Sequence, residues 1–150
     1  MGYRAWVVSA DGLLTSIGVP DHVWTSAQAT AECRQGGRSS HPGVEHVPPV
    51  WECTCGIHAF TCLHDAIGFM GERLVAGVVR GWGRTIHHGD EGWRSEHAEI
   101  IALAPVYDGA GIDGHLRAFA SREGTIVTTL PALRIIAGEH GAGESRSATR

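Results

Sequence analysis

Between Gly18 and Cys55 the chain passes through Pro20, Gly36-Gly37, Ser39-Ser40, Pro42-Gly43 and Pro48-Pro49 with little apolar periodicity. A connection this long is uncommon in a compact domain, because ordering it costs entropy and buries little apolar area in return. Something other than a hydrophobic core has to hold it. The end of the segment supplies a means. Cys53-Thr54-Cys55-Gly56 sets two thiols two residues apart, ahead of a glycine that permits a sharp turn. Cys33, His41 and His46 lie upstream in the same stretch. Three thiolates and one imidazole make a closed tetrahedral set, which suits structural zinc, and soft sulfur donors argue against magnesium or calcium. Such a site adds its binding energy directly to folding.

The fourth ligand has three candidates on spacing alone. His46 stands seven residues before Cys53, with Pro48-Pro49 stiffening the chain between them. His41 is held extended by Pro42. His58, three residues after Cys55, reaches the same metal if a helical turn starts at Gly56. Cys62 and His64 read as a core thiol and a half-buried polar group. No Cys-x-x-Cys-His for covalent haem is present.

The chain has 150 residues, 43% hydrophobic and 19% charged, which fits one folded domain over 1–137. The stretch 138–150, rich in Gly and Ser, is expected to be a disordered tail. A net charge of −4 disfavours nucleic acid as a partner, although Arg73, Arg80, Arg84 and Arg94 would make a local basic stripe. No apolar run approaches the roughly 20 residues of a membrane helix, and the first residues lack a secretory core. The expectation is a cytoplasmic protein with no membrane partner, whose four cysteines serve as metal ligands or core thiols rather than disulfides.

Trp6-Val7-Val8, Asp11-Gly12 and Leu13-Leu14-Thr15 predict a first hairpin. Ile57, Phe60, His64, Ile67 and Met70 recur at three- and four-residue steps, which predicts the main helix over Ile57 to about Arg73. Leu74–His88 and Trp93–Leu103 predict a second hairpin turning at Gly89-Asp90-Glu91-Gly92, with Trp82 opposite Glu99 and Arg84 opposite His97 if the turn centres on Asp90-Glu91. A short helix near His115–Arg122, a strand over Thr125–Leu130 and an apolar run over Leu133–Ala137 follow. Together these predict an α+β fold: a small bent antiparallel sheet or half-barrel with one main helix and a zinc-pinned loop.

The strings Tyr3-Arg4-Ala5-Trp6, Ala31-Glu32-Cys33, His46-x-Pro48, Cys53-Thr54-Cys55-Gly56-Ile57-His58-Ala59, Trp82-Gly83-Arg84, His88 and Gly92-Trp93-Arg94-Ser95-Glu96-His97-Ala98 resemble a family of small bacterial proteins common in actinobacteria and some bacilli. The likeness covers about Tyr3 to Leu103. It implies a site built from a Cys, a His and the Cys-x-Cys, and favours His46 over His41. His58 stands where that family usually carries Tyr, which argues against it as a ligand. The likeness implies a metal site and no particular reaction. The ligand set taken forward is therefore Cys33, His46, Cys53 and Cys55, with zinc as the cofactor.

A second constellation surrounds the later turn. His87, His88, Glu96 and His97 flank it, and His88, Glu96 and His97 are the candidate acid–base or metal residues of a hydrolase-like enzyme on the 86–97 hairpin. Adjacent strand residues point to opposite faces, so His87 and His88 cannot both serve one site. Arg94 and Glu96 share a face, where a simple Arg–Glu contact is expected. Trp51, beside Cys53, is expected to pack over the metal site. A closed site leaves no place for substrate on the metal, so the favoured function is a zinc-stabilised binding or adaptor domain for a protein or small-molecule ligand, not an enzyme.

Overall fold

The computed structural model describes residues 1–17, 22–33, 46–69, 71–108 and 111–138. In chain order the elements are β1 (Gly2–Val8), β2 (Leu14–Ser16), β3 (Val23–Trp24), β4 (Gln28–Thr30), β5 (Ile57–Phe60), α1 (Leu63–Ala66), β6 (Leu74–His87), β7 (Gly92–Pro105), α2 (Asp113–Glu123), β8 (Ile126–Val127) and α3 (Leu130–Ala137). The class is α+β, as the alternation of short strands and hairpin turns predicts. His41 and residues 139–150 lie outside the described residues.

The long β6–β7 hairpin is the frame. One edge of β7 carries β6 along its length. Its other edge takes three short strands in succession: β5 against Gly92–Ser95, β4 against His97–Glu99 and β8 against Ala102 and Leu103. β1 pairs with β6 from Gly2↔Val79 to Val7↔Leu74, and β2 folds back on β1 through the Asp11-Gly12 turn. β5 also meets β1, at Tyr3↔Phe60. The path β1–β6–β7–β5 therefore returns to β1, and the sheet is bent into a ring. Among the described residues only β8 runs parallel to its neighbour.

Apolar side chains fill both faces of the β1–β6–β7 sheet. On one face Trp6, Val8, Val75, Val79, Ile100 and Leu103 pack with Leu116 and Phe119 of α2. On the other, Tyr3, Ala76, Val78, Ala102 and Ala104 pack with Leu63 of α1 and Leu133 of α3. Covering on both faces explains why Leu74–Val79 reads as an unbroken apolar run instead of an alternating one. Among the described residues no helix is long and apolar enough to cross a membrane.

Two expectations are overturned here. The main helix predicted over Ile57–Arg73 is only the single turn Leu63–Ala66, and Ile57–Phe60 is a strand. Ile57 and Ala59 also fit a period of two, and pairing to two strands outweighs the helical spacing. The longer helices are α2, which covers the short helix expected near His115–Arg122, and α3, which takes the apolar run of the sequence. The β6–β7 register also differs. The turn loop is Gly89-Asp90-Glu91, with Gly89 at φ 58°, so His87 faces Trp93 and Thr85 faces Ser95. An extra residue at Gly83 (φ 77°) then sets Trp82 opposite His97, and Arg80 opposite Glu99. A three-residue loop and one bulge displace every expected pair.

Gly92 shows how tightly the ring closes. Its φ is 150°, and a Cβ there would overlap the Ala59 carbonyl of β5. Gly92→Ala is expected to push β5 off β7 and to lower stability by about 2–4 kcal/mol, the range of strain combined with lost pairing. Urea unfolding checks this, with Gly89→Ala as the comparison: Gly89 also has positive φ but nothing within 4 Å of the added carbon. Equal losses in the two variants would contradict the close-approach argument.

Candidate metal centre

The site assembles at the β5 end of the ring. After β4 the chain continues alongside β7, with the Ala31 amide donating to the Glu96 carbonyl at 2.7 Å, and this carries Cys33 towards the start of β5. The segment 46–56 brings the other donors. The Cys53 amide donates to the Val50 carbonyl at 3.3 Å, making a turn that sets both sulfurs inward. Gly56, at φ 117°, then redirects the chain into β5, with Pro49 and Arg94 so close that a side chain there would crowd both.

The donor atoms of Cys33, His46, Cys53 and Cys55 all lie within 4.8 Å of one another. The Cys33 and Cys53 sulfurs are 3.6 Å apart, and His46 Nε2 is 3.2 Å from the Cys55 sulfur. Tetrahedral zinc with bonds of about 2.3 Å to sulfur and 2.0 Å to nitrogen has edges of roughly 3.5–3.8 Å, so small shifts of these atoms would bring them around one ion. None of the cysteines forms a disulfide. Cys53 and Cys55 are buried, with 4% and 8% of their surface exposed. These four residues can hold a metal ion.

The electrostatics favour a cation. Burial would raise the Cys53 thiol, but the Cys55 amide and hydrogen bonds from Cys55, Cys33 and His46 outweigh it and bring Cys53 down to about 7. Burial and the neighbouring Cys53 push Cys55 up to about 11. A thiolate forms readily at Cys53, while charging Cys55 beside it requires positive charge nearby.

Arg94 fixes the loop from β7. It is only 4% exposed. Its Nη1 donates to the carbonyls of Cys53 and Cys55, the latter at 2.9 Å, and Nη2 donates to the Val50 carbonyl at 3.5 Å. Its Nε donates to His88 Nε2 at 2.8 Å. A planar guanidinium with five donors can meet several carbonyls at once, which a lysine cannot. The expected Arg94–Glu96 contact is absent among the described residues. The clamp depends on the curl of the sheet, and nothing in the polar run Arg94-Ser95-Glu96-His97 marks Arg94 in the sequence as buried.

The other sequence candidates fall elsewhere. His58 is not part of the donor cluster and binds the Thr54 carbonyl through Nε2 at 2.9 Å. Loss of hydration holds it below the ordinary histidine range against that bond, and Arg4 and Arg94 lower it further. Cys62 and His64 are exposed, not core groups, because α1 is too short to carry them inward. Trp51 does not cover the metal cluster: it is 69% exposed and meets the His88 ring edge-on at 5.8 Å. His88 thus belongs with Arg94 and Trp51. Glu96 accepts from the Arg84 amide at 3.2 Å and lies 3.4 Å from His97 Nε2, while His97 stacks on Trp82 and bonds Thr30. The contacts of His88 and those of Glu96 and His97 share no residue.

A cavity of about 420 Å³ opens against the same loop. Thr54, Cys55 and Gly56 form one wall, and Arg4, Ser16 and Phe60 lie among its other lining residues. Comparison with protein-family models, with curated proteins and with solved structures finds no match.

Proposed function

We propose that this chain is a zinc-stabilised binding module for a small-molecule ligand. One observation carries the reading: the loop that gathers three sulfurs and an imidazole also forms a wall of the 420 Å³ cavity. Four protein donors satisfy a tetrahedral zinc, leaving no position for a substrate or an activated water. The metal then acts by holding a segment with little core of its own. Cavities of this size bury most of a small ligand. Three thiols in one cluster fit a reducing, cytoplasmic setting. The alternative, a hydrolase using His88, Glu96 and His97, has less support, because His88 commits Nε2 to Arg94 and shares no contact with the other two.

Metal analysis of protein purified without chelator tests the reading. The expected result is about one zinc per chain, released together with thiol reactivity at Cys33, Cys53 and Cys55. Protein free of metal, with those three thiols open to alkylation in the native state, would overturn it.

A further inference from the structure

We infer that the cavity beside the cysteine loop binds a small monocarboxylate with an apolar body, and that Arg4 is its anchor. The inference rests on the binding-module reading of the same loop and adds the chemical class of the ligand.

Arg4 is a cation placed in an apolar strand. Its guanidinium lies over the rings of Trp6 and Trp24, 5.9 and 5.6 Å from their centroids. Nη1 donates to the His58 carbonyl at 2.6 Å and Nη2 to the Ser16 hydroxyl at 3.0 Å. Each of these nitrogens therefore keeps one hydrogen, and a pair of this kind matches the two oxygens of a carboxylate. The Ser16 hydroxyl is itself held in place, receiving Trp24 Nε1 at 3.2 Å and lying 2.9 Å from His22 Nδ1. The fork is thus preorganised and not free to swing into solvent.

The charge of Arg4 is unbalanced. Among the described residues no carboxylate pairs with it. Loss of hydration lowers it to about 10. A half-buried cation without a counter-charge is costly, and an anion entering the cavity would remove that cost. The rest of the lining sets the size and shape of the charge. Ile17, Ile57, Phe60 and Phe69 present apolar surface, and Glu32 brings a negative charge to the rim. Among the described residues Arg4 is the one arginine or lysine of the lining, which favours a single negative charge over a phosphate dianion. The apolar walls favour a hydrocarbon body over a bare ion.

The test uses the full, metal-loaded chain with 3-phenylpropionate, its neutral amide, 3-phenylpropylamine and inorganic phosphate, followed by calorimetry, with zinc content measured on each sample. The acid is expected to bind at least tenfold more tightly than the amide, and the amine and phosphate to bind weakly or not at all. Arg4→Lys keeps the charge but loses the fork, and should weaken the acid about tenfold while leaving the amide unchanged. Phe69→Ala should weaken acid and amide alike. Equal affinity for acid and amide would overturn the inference, as would an acid affinity unchanged by Arg4→Lys. If Arg4→Lys fails to fold, the acid-to-amide ratio in the unaltered chain still decides. A zinc-loaded chain that prefers the amide removes the carboxylate class and leaves the binding module standing. A zinc-free chain that prefers the acid keeps the carboxylate class and removes the zinc from the proposed function.

Discussion

Serine at Cys53 or Cys55 is expected to release the metal and to lower the melting temperature by roughly 10–15 °C. The magnitude follows from the coordination sphere. Structural zinc contributes on the order of 10 kcal/mol in small domains, and opening the tetrahedron by one thiolate forfeits a large part of it. For a chain of this length about 1 kcal/mol corresponds to roughly 2–4 °C, so a loss of about 4 kcal/mol gives the stated drop. Circular dichroism melts with and without a zinc chelator check it, since chelation of the unaltered chain should reproduce the variant. Cys62→Ser is the control, because Cys62 is exposed and outside the cluster. Melting unchanged by both serine variants and by chelator would refute the expectation.

Arg94→Met is expected to cost about 3–5 kcal/mol, the second largest effect. The methionine would fill much of the volume of the arginine stem. It would leave the carbonyls of Val50, Cys53 and Cys55 without their shared donor, in a place where water has little access. Each charged hydrogen bond is worth about 1.5–3 kcal/mol, and their sum is discounted because the loop relaxes when released. Metal affinity should fall roughly 10–100-fold, as it does when groups that orient ligands are removed. Arg94→Lys should recover only part, since an ammonium cannot span three carbonyls. Urea titration and competition with a zinc indicator measure the two effects. A variant within about 1 kcal/mol of the parent would show that the loop is held by the metal alone.

The parts of this molecule legible in the sequence are those governed by local chemistry. The gathering of Cys33, Cys53 and Cys55 with a histidine follows from donor type and from the need to order a segment without core, whereas the choice of His46 over His41 and His58 rests on the family resemblance. The turns at Asp11-Gly12 and Gly89–Gly92 follow from glycine backbone freedom, and the α+β class from the strands around them. What could not be read depends on partners distant in the chain. Ile57–Phe60 carries helical and strand spacing together, and only the neighbouring β1 and β7 decide between them. The register of β6 against β7 turns on a three-residue loop and on irregularities at Gly83 and at Val78–Val79. Arg94 and Arg4 looked like a surface charge and part of a strand. Their roles appear only when the sheet curls and brings the Val50–Cys55 carbonyls and the Ser16 hydroxyl within reach.

The closure of the ring through β5 also bears on how the protein would behave if a metal held by the cysteine cluster were removed. β5 is four residues long and is tethered to the cysteine loop through Gly56. Among the described residues it is the one strand on that edge of Gly92–Ser95, the opposite edge being held by β6, and it meets β1 at a single residue pair. A chain whose loop is released would lose this cover first, since so short a strand has little pairing energy of its own. The bared edge of β7 would then offer unpaired amides and carbonyls to another chain. In that respect a metal-loaded cysteine cluster would guard against self-association: metal starvation would convert a closed sheet into one with a free side, and clumping would precede global unfolding.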